Sequence, residues 1–438
     1  METGQPPASS VPNEPSVAVL ILNWNGRSLL QTCLPLMLNQ TYANYEVVVV
    51  DNGSSDDSAR FVRERFPRVQ LIQNKENLGF SRGINAGLRQ IQADVVVLLN
   101  NDVLVQPNWL AELIRPFHQD PQIGIVGCKL LYPDGTIQHL GAELTYPLAH
   151  SRHFHYKEPD VSELPAVQEV PYVTGAALAV HQKVQAEIGL LDESFHPFYY
   201  EEVDYCYRAR AAGYRVVVAT KAVAIHNESA SMRKVQDAML QTRHRNRYRF
   251  VLKHYSLDQF FQAFVPAETA YLNTHHLFPD VDAVRLACLE IAIAAPKILP
   301  ADIGAEQLTA VQKALLQLRE AAVQARASAE SPPPELEEFS FTRSRQGFGM
   351  LIASFRQAWS NVAAKWLVRR LRQQQTLYNQ FLLRQIERLE TQGRSQAMEI
   401  EHLLATLLPA QASLKHLETE LMQIKQQLDQ TDTENNRP

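Results

Sequence analysis

The sequence predicts an α/β domain with a mostly parallel sheet, then an α-helical region and a C-terminal coiled coil. Three observations predict it. Short apolar runs alternate with segments of helical spacing in the N-terminal half, strand-like runs stop near residue 230, and the end of the chain repeats apolar positions every three and four residues.

The elements follow in order. Residues 1–16 are polar and rich in Pro and Ser, with no basic region leading into an apolar core, so a disordered tail is expected rather than a signal peptide. Four buried strands are expected at Val17–Asn23, Glu46–Asp51, Val69–Asn74 and Asp94–Asn100. Between them, SLLQTCLPLMLNQ and DSARFVRERF have helical spacing, which makes the strands parallel with helical crossovers. Polar residues collect at the strand ends, at Asn23, Asp51 and Asn100, the edge where open α/β sheets bind ligands. This domain is assigned residues 17–235, and residues 236–330 a helical region. The helical region opens on QTRHRNRYRFVLKHY, which spaces Arg245, Arg249 and Lys253 four apart among Tyr248, Phe250, Val251 and Leu252. Such a helix can lie on an anionic membrane surface or pack against the preceding domain. Three consecutive prolines mark a linker over 331–345. Over 346–430, the seam Ile400, Leu403, Leu407, Ala410, Leu414, Leu417, Leu421, Ile424 and Leu428 predicts a coiled coil interrupted at Pro409, able to form a homo-oligomer or hold a protein partner. Residues 431–438 are expected to be a second tail.

Composition narrows the function. A chain of 438 residues suits two or three units. A formal net charge of -5 supplies no general attraction for nucleic acid. Cys33, Cys128, Cys206 and Cys288 are scattered with no CxxC spacing, which argues against a zinc knuckle or a dense disulfide framework and fits a reducing, cytoplasmic compartment. No stretch approaches the roughly 18 to 20 apolar residues that span a bilayer.

Five constellations carry candidate chemistry. In VVVVDNGSSDDS, Asp51 ends a strand and can accept from a pyrimidine ring N–H, while the acidic residues that follow can equally cap a helix. In NLGFSRGINAGL, Asn77, Gly79, Gly83, Asn85 and Gly87 open a helix whose N–H groups can face a phosphate, with Arg82 adding charge. Close helix–sheet packing is the alternative. In DVVVLLNNDV, Asn100, Asn101 and Asp102 leave a buried strand. One carboxylate with substrate phosphates suffices for Mg2+ or Mn2+, and an Asx turn would also account for the pattern. In FYYEEVDYCYRARAAGYRV, Glu201, Glu202 and Asp204 crowd one helical turn. They raise one another's proton affinity, as suits a general base, or form a solvated acidic first turn. Last, His226 exits the apolar run VVVATKAVAIH. The cluster His150, His153 and His155 falls in an expected loop with little weight as a site.

In order, VAVLILNWNG, VVVVDNGSSD, NLGFSRGINAGL, LLNNDV, VTGAALAV, EEVDYCYR and AIHNES resemble glycosyltransferase family 2, most closely its rhamnosyltransferase-like bacterial members, over roughly residues 17–235. The resemblance implies a GT-A nucleotide-diphospho-sugar transferase fold, a divalent metal (Mn2+ or Mg2+) and inversion. It implies that Asp51 holds the nucleobase, that Asp102 and His226 bind metal, and that Gly175 lines the sugar and acceptor pocket. Asn23, Asn77, Gly79, Asn85, Asn101 and Glu201 join Asp51 and Gly175 as nucleotide-sugar-binding candidates. The family's base is the Asp of a Glu-Asp pair. Here that position is Glu202, one methylene longer, with Asp204 as second candidate. The implied reaction moves rhamnose from dTDP-rhamnose, or a hexose from a UDP-hexose, to a saccharide or lipid-linked acceptor in cell-surface polysaccharide synthesis. The protein would then be cytoplasmic, with peripheral membrane contact on the cytoplasmic face. A catalytically inactive glycosyltransferase-like scaffold acting through its coiled coil is the second reading. A sugar-nucleotide pyrophosphorylase would need a glycine-rich basic N-terminal loop that VLILNWNGRSLL does not supply.

Overall fold

The computed structural model describes residues 14–160, 163–227, 236–274 and 278–329. The expected linker, coiled coil and C-terminal tail, and all of the N-terminal tail except Glu14, Pro15 and Ser16, lie outside the described residues.

Strands and helices alternate as β1 (Val17–Asn23), α1 (Arg27–Met37), β2 (Tyr45–Asn52), α2 (Ser58–Arg65), β3 (Gln70–Asn74), α3 (Phe80–Leu88) and β4 (Val95–Asn100). There follow β5 (Val103–Val105), α4 (Trp109–Gln119), β6 (Ile123–Leu131), β7 (Ile137–His139), β8 (Ala142–Thr145), β9 (His150–His153), β10 (Val167–Glu169) and β11 (Ala177–His181). Next come α5 (Gln182–Ile188), α6 (Glu201–Ala211) and β12 (Arg215–His226). Helices α7 (Gln236–His254), α8 (Leu257–Gln259), α9 (Val265–Thr274), α10 (Phe278–Ile298) and α11 (Ala305–Ala329) complete the described chain, with a π-helical turn at Phe260–Phe264.

The sheet runs β10-β12-β6-β11-β4-β1-β2-β3, with β5 on β12 and β7 on β6, while β8 and β9 form a separate hairpin. The pairs β1–β2, β1–β4, β2–β3 and β6–β12 are parallel. The expected parallel core is therefore found in a mixed sheet: β11 runs antiparallel to both β4 and β6, and β10, β5 and β7 add antiparallel pairings on β12 and β6. Val17 to Ile21 and Val47 to Val50 are buried without alternation because helices cover both faces, which explains their unbroken apolar runs. The register sets Asn23 beside Asp51 and Leu22 beside Asn100. Since β1 has β2 on one side and β4 on the other, the strand order reverses there, and the polar strand ends border one crevice.

The chain divides into two compact units, one of residues 1–268 with 286–291 and one of 269–285 with 292–438. In the first, α7 is a structural part of the α/β body. Tyr248, Phe250, Val251 and Leu252 are buried, and Asn246 donates its amide to the carbonyls of Phe195, Phe198 and Tyr199 at 2.9, 2.8 and 2.9 Å. Of the two expectations for the basic helix, packing against the preceding domain accounts for its buried aromatic residues. Arg247 reaches Glu268 through two bonds, at 2.8 and 2.5 Å, and Tyr248 Oη donates to the same carboxylate at 2.7 Å. In the second unit, α11 buries Leu308, Val311, Leu315 and Leu318, a three-and-four spacing that makes one apolar stripe.

Candidate active site

The loops after β1 and β2 are laced together before any ligand arrives. Buried Asn23 donates to Asp51 Oδ1 and to Ser54 Oγ, each at 3.3 Å, and accepts from Asn101 Nδ2 at 2.9 Å. The second Asp51 oxygen accepts from Ser54 N at 3.2 Å. Arg27 N, an unpaired donor at the start of α1, finds Asp56 Oδ2 at 2.9 Å, so a neighbouring loop supplies the cap that Gly26 cannot. Three expected nucleotide residues, Asn23, Asp51 and Asn101, thus form one hydrogen-bonded set at the crevice.

Asn77 and Gly79 belong to a second set centred on Asn52, which the sequence reading did not single out. Asn52 Oδ1 accepts from Asn74 Nδ2 at 3.0 Å and Leu78 N at 3.1 Å, while its Nδ2 donates to Asn77 Oδ1 at 2.9 Å and Gly79 O at 3.1 Å. A buried amide following the Asp51 strand end was the available signal. Gly79 has φ +77°, and a Cβ there would meet His196 Nδ1 at 2.7 Å. Gly79→Ala is therefore expected to cost about 1–3 kcal/mol, read as a lowered urea midpoint at unchanged slope. Asn85 does not join this set. It clamps Leu191 through that residue's N–H and carbonyl, at 3.2 and 2.9 Å, and donates to Glu193 Oε1 at 3.0 Å. Arg82 lies 3.7 Å from Glu193.

The antiparallel pairing of β5 with β12 sets Val103 opposite His226 and so draws Asp102 to the imidazole. His226 Nε2 is 3.2 Å from Asp102 Oδ1, and both side chains are 13% exposed. His226 Nδ1 lies 2.7 Å from Gln138 Oε1 on β7. An amide oxygen can only accept, so Nδ1 carries a proton and Nε2 is the ring nitrogen that faces the carboxylate. An imidazole nitrogen and a carboxylate oxygen sharing one opening form a donor set that fits Mn2+ better than the all-oxygen shell Mg2+ favours. Among the described residues no group of three or more His, Cys, Asp or Glu could hold a metal, so the remaining ligands would have to be phosphate and water. Gln138, which orients the histidine, was not foreseen.

Glu201, Glu202 and Asp204 occupy the first turn of α6, and the structure separates their environments. Glu202 is half-buried. Its Oε2 is buried without a hydrogen-bond partner among the described residues, and backbone N–H groups nearby, that of Gly175 among them, favour its charged form. Burial raises its pKa, and the backbone donors oppose that rise. Burial and the neighbouring Glu202 push Glu201 well above the carboxylate range. Gly175 sits against both Phe80 and Glu202: a Cβ there would lie 3.4 Å from the Phe80 ring and 3.5 Å from Glu202 Cβ. Because Asn100 N donates to Ala176 O at 2.8 Å, the Gly175 turn is tied to the segment that carries Asp102.

Asp204 is different, with both oxygens occupied. Arg208 Nε lies 2.8 Å from Oδ2, and Lys253 Nζ and His254 Nε2 lie 2.7 and 2.8 Å from Oδ1. Burial acts to raise its pKa, but the His254 hydrogen bond and the charges of Arg208 and Lys253 outweigh it and bring the value down to about 2.

The model of the glycosyltransferase like family 2 matches residues 14–251, more than half of the chain. The chain is 32% identical over 234 residues to the uncharacterized protein y4gI of Sinorhizobium fredii and 30% identical over 229 residues to the O-antigen biosynthesis protein RfbC of Myxococcus xanthus. Each match takes in 50% of this chain but only 25% and 18% of those longer relatives. It is 24% identical over 232 residues to the N-acetylglucosaminyl-diphospho-decaprenol L-rhamnosyltransferase of Mycobacterium tuberculosis, covering 48% of this chain and 75% of that one.

Proposed function

The chain belongs to the glycosyltransferase-like family 2, and from that premise we propose that it moves a sugar from a nucleoside-diphosphate donor to a hydroxyl acceptor with inversion, on a GT-A fold. The observation that carries this reading is the 3.2 Å approach of Asp102 to His226 at the crevice whose other strand ends carry Asn23 and Asp51. Asp51, braced by Asn23 and Ser54 N–H, accepts from the base, and the Asn52-built loop with Asn77 and Gly79 borders the diphosphate. Asp102 and His226 would hold a divalent cation, whose charge when bound offsets that of the departing diphosphate. Glu202 takes the acceptor proton, freeing the oxygen to attack the anomeric carbon opposite the leaving group. The family's Asp is replaced by a longer Glu, against whose Cβ the Gly175 turn packs. Asp204, occupied by three partners, is assigned a structural part.

The donor is proposed to be dTDP-rhamnose, with a UDP-hexose second, and the acceptor a saccharide or lipid-linked saccharide of a cell-surface polysaccharide. The names of the M. xanthus and M. tuberculosis relatives support that choice. Among the described residues no helix is long and apolar enough to cross a membrane. The deciding experiment screens nucleotide sugars for binding and turnover with and without Mn2+. Manganese-dependent turnover of dTDP-rhamnose is the expected result, and failure of every nucleotide sugar to bind would overturn the reading.

The raised Glu202 pKa predicts a pH dependence. The base works only when ionised, so kcat/KM climbs as pH rises through that value. The acid limb should lie above the usual glutamate range, and a pH–rate profile whose limb falls within or below it would remove Glu202 from the role.

A further inference from the structure

The turn that leads into α6 has a shape its own residues do not favour. Tyr199 and Tyr200 have φ +75° and +71°, two bulky residues in succession in the left-handed region that suits glycine. What holds them there comes from α7. The Asn246 side chain is fully buried, and its Nδ2 donates to the carbonyls of Phe195, Phe198 and Tyr199 at 2.9, 2.8 and 2.9 Å, so that two hydrogens serve three acceptors. Arg245 Nε donates to Asn246 Oδ1 at 3.2 Å, which settles the end of the amide that faces the turn. Arg245 Nη2 also donates to His196 O, and from α3 Phe80 N donates to Pro197 O at 2.7 Å.

This turn sets the start of the helix that carries Glu202. Tyr200 is the N-cap of α6, and its carbonyl accepts from Asp204 N at 2.8 Å. That bond closes the first helical turn around Glu201, Glu202 and Val203, so the direction in which Glu202 leaves the backbone follows from the dihedrals of Tyr199 and Tyr200. We propose that Asn246 is a positioning residue for the base: by gathering the three carbonyls it keeps Tyr199 and Tyr200 left-handed and so fixes where α6 presents Glu202. This rests on Glu202 being the base. No contact between Asn246 and substrate is involved.

The test combines hydrogen–deuterium exchange of the full-length protein with steady-state kinetics. In Asn246→Ala, the amides of Asp204, Tyr205 and Cys206 should exchange about ten-fold or more faster, while those of β1, β2 and β4 keep their wild-type rates. The kcat for Mn2+-dependent release of dTDP from dTDP-rhamnose should fall about ten- to a hundred-fold, with donor KM within about three-fold of wild type. Added to Asn246→Ala, Tyr199→Gly should restore both protection and kcat in part, because glycine adopts a positive φ without steric cost. Tyr199→Ala removes the same ring without that freedom and should restore neither. Should Asn246→Ala not fold, Asn246→Gln, which keeps both N–H donors but displaces them by one methylene, makes the same comparison. Wild-type exchange at α6 in the folded Ala or Gln variant, or equal recovery with Gly and Ala at 199, overturns the inference. Exchange needs no turnover, so that outcome is separate from failure of the transferase reading, which would appear as undiminished activity in Glu202→Gln.

Discussion

Glu202→Gln is expected to lower turnover by about a hundred- to ten-thousand-fold while leaving nucleotide-sugar affinity within a few-fold of wild type. Glutamine matches the size of glutamate and keeps its packing against Gly175, but it cannot remove a proton. The loss should therefore appear in kcat. Asp204→Asn provides the contrast, because its carboxylate compensates Arg208, Lys253 and His254. Its substitution should register first in stability. Steady-state kinetics beside isothermal titration with the donor separate the two: full activity in Glu202→Gln with loss in a folded Asp204→Asn would exchange the assignments.

Glu268→Gln is expected to destabilise the first unit by about 3–5 kcal/mol, since it strands the buried Arg247 guanidinium. Arg247 and Glu268 are 1% and 0% exposed, so neither charge can turn to water. Burial alone would raise the Glu268 pKa, yet the Arg247 charge, its hydrogen bonds and that of Tyr248 lower it below the usual range. A depressed folded value means that this stabilisation is complete above the unfolded glutamate pKa and disappears as pH falls through the folded one. Urea melts of wild type and variant should differ most near neutrality and converge in acid. An equal difference at every pH would remove the ion pair as the cause.

Much of the fold and the position of part of the candidate site were legible in the residues. Strands β1 to β4 were readable because burial on both faces leaves no polar alternation to disguise them. Asn23, Asp51 and Asp102 were readable because a polar residue directly after such a run has only the sheet edge to occupy. Gln138 was not: DGTIQHLG has no local pattern of its own, and the partner of Gln138, His226, lies 88 residues beyond it. Asn85 looked like part of a phosphate-facing turn, but its real partners lie 106 and 108 residues on, a separation that spacing cannot reveal. In α7 the signal was present. Tyr248, Phe250, Val251 and Leu252 cannot share one helical face, so a helix bearing them is apolar on several sides and belongs in an interior rather than on a flat lipid surface.

The clamp on Asp204 bears on where this molecule can be divided. Lys253 and His254 come from α7, beyond residue 235 where the sequence places the end of the α/β domain and beyond residue 251 where the family match ends. A fragment trimmed at either point would keep every residue assigned to chemistry, yet leave an interior carboxylate with Arg208 alone, on the very turn that presents Glu202. The stable folded unit is thus expected to be longer than its recognisable signature, with α7 bracing the turn that carries Glu202.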